Sequence, residues 1–282
     1  MSQQKSVKTK NSAPKVSRKI ETKNAEISRK PDKKLSRKTA VAIVLGVILF
    51  FVLAFFAKDF IADAGLDIAI EHAAKSYDEA TRFDGVANFR EVILPGKIRE
   101  NMIFRSSRLS AATPSDVKKL AKLLPDGTVI DLRSSWEVAH APDAKIPGVR
   151  DENFPIRGVG DAAGYVDAFV NDARDRQEFA KALAAIADAK GPVLIHCTFG
   201  KDRTGWLVAT LMYLAGANDS QVMTEYLRSN HQIPGAHVDA AWLEAAVNAA
   251  REKYGSMENY VLNGLKVSPG NVAKIREKLA EN

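Results

Sequence analysis

A single cysteine, Cys197, stands among the 282 residues of the chain. No internal disulfide can form, so the fold must be held by its core even in an oxidising compartment. Histidine is nearly as scarce. There are five, with neither the spacing nor the neighbouring carboxylates that ligate zinc, so no metal site is expected and no cofactor is called for. Basic residues are also in short supply outside the N-terminus. The net charge of +7 suggests a polyanion binder, yet residues 1–38 hold 13 Lys and Arg against 3 Asp and Glu. From residue 58 onward there are 28 basic and 31 acidic residues. The excess belongs to the tail, and nucleic-acid binding by the remainder has no compositional support.

Residues 1–38 almost lack large apolar side chains and cannot bury enough surface to offset the entropy of ordering, so a basic disordered tail is expected. Within it, Lys33, Lys34, Arg37 and Lys38 are placed to meet anionic lipid headgroups. Charge is then absent from 39–57. The run Ala40–Ala57 covers roughly 27 Å as a helix, close to the hydrocarbon thickness of a bilayer. The expectation is a single transmembrane helix over 39–57 with a cytoplasmic N-terminus, because the flanking positive charge lies on that side. The part beyond residue 57 would then be periplasmic or extracellular, anchored to the cell membrane. A cleavable signal sequence ending near Ala62-Asp63-Ala64 is the alternative. Over 58–82, Leu66, Ile70, Ala73, Ala74 and Tyr77 recur at helical spacing, with Glu71 and Lys75 as an i,i+4 pair. This is a linker, a stalk helix or the first helix of the domain.

The chemistry is concentrated in His196-Cys197-Thr198-Phe199-Gly200-Lys201-Asp202-Arg203-Thr204-Gly205. An apolar run, Val193-Leu194-Ile195, precedes it and reads as a buried strand. Leu207, Val208, Leu211 and Leu214 follow at helical spacing and stop near Gly216. Strand, tight loop and helix start, in that order, make a pocket for an anion, with successive amides turned inward and the positive helix end behind them. In such a loop the amides, the helix terminus and Arg203 all favour a Cys197 thiolate. A thiolate is a ready nucleophile for phosphorus. Arg203 grips two phosphate oxygens with its planar fork, which lysine cannot match. Gly200 and Gly205 allow a tight turn and close approach, and the Thr204 hydroxyl is placed to donate to the sulfur.

This stretch resembles the cysteine-dependent phosphatases, whose pattern is Cys-x5-Arg followed by Thr or Ser. The fuller Gly-Lys-Asp-Arg-Thr-Gly form looks like the bacterial tyrosine phosphatases that also accept phosphoserine, phosphothreonine and phosphoinositides. Val86-Ala87-Asn88-Phe89-Arg90-Glu91 and Ile103-Phe104-Arg105-Ser106-Ser107 resemble the elements that open that family's domain. The family's Gly-Gly is replaced by Val92-Ile93-Leu94-Pro95-Gly96. Asp131-Leu132-Arg133-Ser134 resembles a second motif, with Glu137 near an expected acidic position. Tyr254-Gly255-Ser256, Tyr260-Val261 and Gly264-Leu265 are similar to its closing helices. The resemblance covers about residues 83–280. It implies a parallel-strand-centred α/β phosphatase domain over 83–282, with helices on both faces.

On that resemblance Cys197 is the nucleophile and Arg203 the phosphate clamp. Thr198, Phe199, Gly200, Lys201 and Thr204 complete the phosphate loop. Asp131 and Arg133 would orient Arg203 or contact substrate, or else form a structural ion pair. Arg90 and Arg105 stand between the same two roles, and His196 would fix the Cys197 backbone. For the acid that protonates the leaving oxygen there are two candidates, Asp202 inside the loop and Asp161 in the loop Asn153–Tyr165, which lacks a Trp-Pro-Asp motif. The expected partner is a phosphorylated protein, with a phospholipid headgroup as the alternative substrate. A non-catalytic reader of phosphorylated ligands would have no use for the nucleophile. A rhodanese-like sulfur transferase is disfavoured by the Cys-to-Arg spacing and by Thr204.

Overall fold

The computed structural model describes residues 83–280 except Pro95, Pro234 and Ala236. All lie in the second of two compact units, Phe56–Asn282. The tail 1–38, the apolar run 39–57 and the segment 58–82 fall outside the described residues. One expectation is corrected here. Among the described residues no helix is long and apolar enough to cross a membrane. The longest, Ala173–Asp188, buries Phe179, Leu183 and Ile186 on one face and carries charge on the other. The transmembrane element of the expected fold, and the membrane placement built on it, are withdrawn.

Among the described residues, five strands form one sheet in the order β1-β2-β5-β3-β4. They are β1 (Arg90–Glu91), β2 (Ile103–Ser106), β3 (Thr128–Asp131), β4 (Arg150–Asn153) and β5 (Val193–His196). β1 runs antiparallel to β2, and the other neighbours are parallel. β5 is central, with Leu194 opposite Phe104 on one side and Val129 on the other.

Side chains alternate across a strand, so the sheet feeds two cores. Ile103, Ile130, Val193 and Ile195 face one, and Phe104, Val129 and Leu194 face the other. Each buried Val, Leu or Ile contributes about 1.5–3 kcal/mol. The second core is closed by α1 (Pro114–Leu123) through Leu120. Thr113 caps α1 in a reciprocal box with Asp116, and Pro114 occupies its first turn, where a missing N–H costs nothing.

A short helix, α2 (Ser135–His140), follows β3. α3 (Ala162–Tyr165) continues as a π-helical turn, Val166–Asn171, into α4 (Ala173–Asp188). Beyond β5 come α5 (Asp202–Leu214), α6 (Asp219–Leu227) with a 3-10 turn Arg228–His231, and α7 (Ala240–Tyr254). α8 (Met257–Asn259) and α9 (Pro269–Leu279) close the domain. Their apolar faces build the first core around Trp206, Phe169 and Tyr260. α5 is buried along nearly its whole length, which explains its weakly amphipathic sequence.

Candidate active site

The carboxyl end of β5 opens into the loop 197–201 and then into α5. Its position at the middle of the sheet is where open α/β folds place their chemistry. The strand's last carbonyl, on His196, accepts from the Leu132 amide at 2.9 Å, and the Thr198 carbonyl accepts from the Arg108 amide at 3.1 Å. The loop turns at Gly200, whose φ is +68° and whose position leaves a Cβ only 1.9 Å from the Ser106 carbonyl oxygen. Both the left-handed conformation and the contact restrict this position to glycine. Lys201 precedes α5 without making a side-chain cap, so the first-turn amides are not taken up by a capping oxygen.

Cys197 is buried. Burial alone would push its thiol up, but the Arg203 charge and the Thr204 hydroxyl and amide bring it below the ordinary range. The buried Thr204 hydroxyl makes no well-aligned hydrogen bond. It lies near enough to the sulfur to lower the thiol pKa. Arg203 is held from the far side. Its Nη1 donates to Glu137 Oε2 at 2.7 Å, and its Nη2 donates to Glu137 Oε1 at 2.8 Å. Further donations reach the Ile156 carbonyl at 3.0 Å and Thr198 Oγ1 at 3.2 Å. Burial disfavours the charge on both partners, but their pairing prevails. The Glu137 carboxyl lies well below the usual carboxylate range, and the Arg203 guanidinium is held above its own. Glu137 also accepts from Ser134 N at 2.8 Å in the capping box of α2 and from the Thr198 hydroxyl. The start of α2 is thereby locked to the loop.

A second set of groups braces the loop from behind. Asn88, at a φ of +54°, donates through Nδ2 to the carbonyls of Phe199 at 3.1 Å and Gly200 at 2.9 Å. Arg105 Nη2 donates to the Gly200 carbonyl at 2.5 Å. Glu225 then accepts from Arg105 Nη1 at 3.1 Å and from Arg90 Nε at 2.9 Å. Arg90 and Arg105 are thus buried supports of the loop backbone and do not point into the phosphate pocket.

Of the two candidate acids, Asp202 is buried at the loop and Asp161 is exposed. Asp202 Oδ1 accepts from the Tyr165 hydroxyl at 2.8 Å and from Lys201 Nζ at 3.0 Å. The Tyr165 and Tyr226 hydroxyls are 2.7 Å apart, which ties α3 and α6 to the loop. Burial, reinforced by the Asp202 charge, pushes the Tyr165 hydroxyl far above its ordinary range, so it remains a donor. Asp161 spends its carboxylate as the N-cap of α3, accepting from Gly164 N at 2.7 Å. Lys201 also donates to the His237 carbonyl at 3.1 Å and lies over the rings of Phe199 and Trp242, at 5.9 and 5.5 Å.

With this geometry in place, a profile of the tyrosine phosphatase family matches residues 81–281. The chain belongs to the tyrosine phosphatase family. It is a cysteine-dependent protein tyrosine phosphatase. It is 30% identical over 192 residues to the triple specificity protein phosphatase PtpB of Mycobacterium tuberculosis, covering 53% of this chain and 69% of that protein. It is also 30% identical over 157 residues to a tyrosine-protein phosphatase of Nostoc commune, covering 48% of this chain and 51% of that one. The core catalytic domain of a PP-IP phosphatase from S. cerevisiae aligns over 64% of this chain and 88% of its own length. Its identity is 21% and its TM-score 0.38, too low to argue from.

In this tyrosine phosphatase the second motif forms the ion pair that was one of its two expected roles. Asp131 and Arg133 bond to each other, at 3.0 and 2.9 Å, and Arg133 continues to Asp143 Oδ2 at 2.7 Å. Asp143 in turn lies 3.1 Å from His196 Nε2, off the hydrogen-bond line. Burial would lower the His196 pKa, but the Asp143 and Asp131 charges push it up to about 9. His196 Nδ1 lies 3.3 Å from the Cys197 carbonyl, as a support of the nucleophile would. Asp131, Asp143 and His196 gather ligand atoms within 4.8 Å, yet the Arg133 guanidinium already supplies the cation there. The orienting carboxylate of Arg203 is Glu137. Its local signal was the Ser134-x-x-Glu137 capping pattern, whereas Tyr165, Asp143 and Glu225 carry no local signal at all.

Proposed function

We propose that this phosphatase hydrolyses phosphotyrosine, and also phosphoserine and phosphothreonine, in proteins through a phosphocysteine intermediate. The observation that carries the proposal is the buried Cys197 whose thiol is drawn down by an Arg203 locked in place by Glu137. The Cys197 sulfur attacks phosphorus, and the phosphorus–oxygen bond to the leaving group breaks as Asp202 delivers a proton to that oxygen. Water then attacks the phosphocysteine, returns its proton to Asp202 and releases the thiolate, which Arg203 and Thr204 steady. Loop amides from Thr198 to Arg203, with the Arg203 fork, meet the charge on the equatorial oxygens. Phe199 and Lys201 border the opening of the loop.

Similarity to a protein named for triple specificity supports extending the substrates beyond phosphotyrosine. A multiply charged phosphoinositide headgroup would need Lys201 as a second cation beside Arg203. That ammonium is already engaged by Asp202 and the His237 carbonyl, which favours protein monoesters. The placement of Asp202 supports it as the acid over Asp161.

The test is turnover of phosphotyrosine, phosphoserine and phosphothreonine peptides and of a phosphoinositide by the purified chain, with Cys197→Ser alongside. Peptide turnover lost in the variant is expected. A faster phosphoinositide rate would overturn the substrate class, and tight phosphopeptide binding without turnover would overturn the hydrolase. Asp202→Asn should lose about 10²–10⁴-fold on phosphoserine and much less on p-nitrophenyl phosphate, whose phenolate leaves unprotonated. The same pattern in Asp161→Asn instead would move the acid to α3.

A further inference from the structure

A groove of about 490 Å³ lies between β1 and α1, apart from the phosphate loop. Its floor is aromatic. Phe83 packs on Phe89 with ring centroids 4.2 Å apart, and Phe89 stacks on Phe104 at 5.6 Å and 17°. Ile93 stands at its edge and is 51% exposed, a large apolar side chain left in solvent. The rim is basic. Lys119 and Lys122 of α1 line one side, with Lys119 Nζ 5.6 Å from the centre of the Phe83 ring, and Arg90 and Arg228 line the other. Glu91 is the acid among the lining residues, and it accepts from the Asn101 amide.

Behind this rim, positive charge exceeds negative. The Glu225 carboxylate serves three guanidiniums: Arg90 at 2.9 Å, Arg105 at 3.1 Å and Arg228 at 3.2 Å. Burial and the neighbouring arginines pull the Arg90 pKa down to about 9, the direction expected where cations are crowded. An anion entering from the groove would relieve that crowding. The volume is of the size that takes a small organic molecule. A bare phosphate would make no use of the aromatic floor, and a neutral hydrocarbon would make no use of the positive rim.

We infer that this groove is a second ligand site for a small amphipathic anion, an alkyl or aryl body carrying one acidic head, and that its occupancy is felt at the phosphate loop. The path is short. Arg90 donates to Asn88 Oδ1, whose amide holds the Phe199 and Gly200 carbonyls, and Glu225 reaches Gly200 through Arg105. An anion that draws Arg90 or Arg228 off Glu225 shifts both supports.

The full chain is titrated with anilinonaphthalene sulfonate, followed by fluorescence, and the probe is then displaced with laurate and separately with dodecanol. Saturable binding at one site is expected, displaced by laurate and poorly by dodecanol. Two exposed rim variants, Lys122→Glu and Ile93→Asp, should each weaken that site about tenfold while leaving basal p-nitrophenyl phosphate turnover unchanged. In the wild type, laurate should shift KM by at least about threefold through the loop supports. Absence of saturable binding, or equal affinity in both variants, would overturn the site. Binding without a change in KM would overturn its link to the loop. Neither readout depends on which phosphorylated substrate is physiological.

Discussion

Replacing Glu137 with Gln isolates the lock on Arg203. The carboxylate takes two parallel bonds from the guanidinium, at 2.7 and 2.8 Å, with its side chain 23% exposed. Exposed ion pairs contribute about 0–1 kcal/mol, and loss of one partner from a fully buried pair costs about 3–5 kcal/mol. This pair lies between those limits. Glutamine keeps the size and one acceptor oxygen but turns its amide nitrogen, a donor, toward a guanidinium N–H. We expect a cost of about 2–3 kcal/mol in holding the Arg203 fork, or about 30–150-fold in kcat/KM. The fold should survive, because glutamine still accepts from the Ser134 amide in the capping box of α2. The assay is kcat/KM on p-nitrophenyl phosphate beside a thermal melt. A kcat/KM within about threefold of wild type would refute the lock. So would a collapse of the melting temperature that accounts for all lost activity.

His196 gives a pH test. Its folded pKa of about 9 lies above its ordinary value of 6.5, so its charged contribution is complete below about 6.5 and is lost as pH rises through 9. Melting temperature should fall over that window, and His196→Asn should be less stable at pH 6 yet lack the slope. An unchanged slope in the variant would contradict the assignment. At Gly200, an alanine Cβ would meet the Ser106 carbonyl oxygen at 1.9 Å on a backbone with φ of +68°. Displacing the loop by that contact should cost about 100-fold or more in kcat, and near-normal kinetics would show the loop can give way. Tyr165→Phe deletes the hydroxyl that donates to Asp202 at 2.8 Å while Lys201 stays. We predict a loss of about 1 kcal/mol, roughly fivefold in kcat, with peptide KM unchanged, and a wild-type kcat would remove Tyr165 from the support of Asp202.

The stretch from Val193 to Leu214 was legible because strand, turn and helix are contiguous there and each carries its own pattern. α1 carries a comparable local signal, a Thr113 cap reciprocated by Asp116 with Pro114 in the first turn. β4 does not. Arg150-Asp151-Glu152-Asn153 has no strand propensity, and Asn153 reads as the start of a loop. Its extended form comes from pairing with β3 at the sheet edge, where charge is tolerated. Asp131 and Arg133 stand together at the end of β3, but their partner Asp143 is ten residues or more away and lies in an irregular segment. Glu137 meets Arg203 across 66 residues, and no local pattern reports such a meeting. The apolar run 39–57 was read from hydropathy alone. That signal measures length and polarity but not packing, and no membrane-crossing helix is found among the described residues.

The claim on which the rest depends is that Cys197 takes the phosphoryl group. The direct measurement is acid quenching of the enzyme during turnover of a phosphotyrosine peptide, followed by mass spectrometry of the peptide containing Cys197. A phosphate adduct on Cys197 that forms and decays at catalytic rates, and is absent from Cys197→Ser, is the predicted result. Full turnover with no adduct on Cys197, or an adduct on another residue, would contradict it.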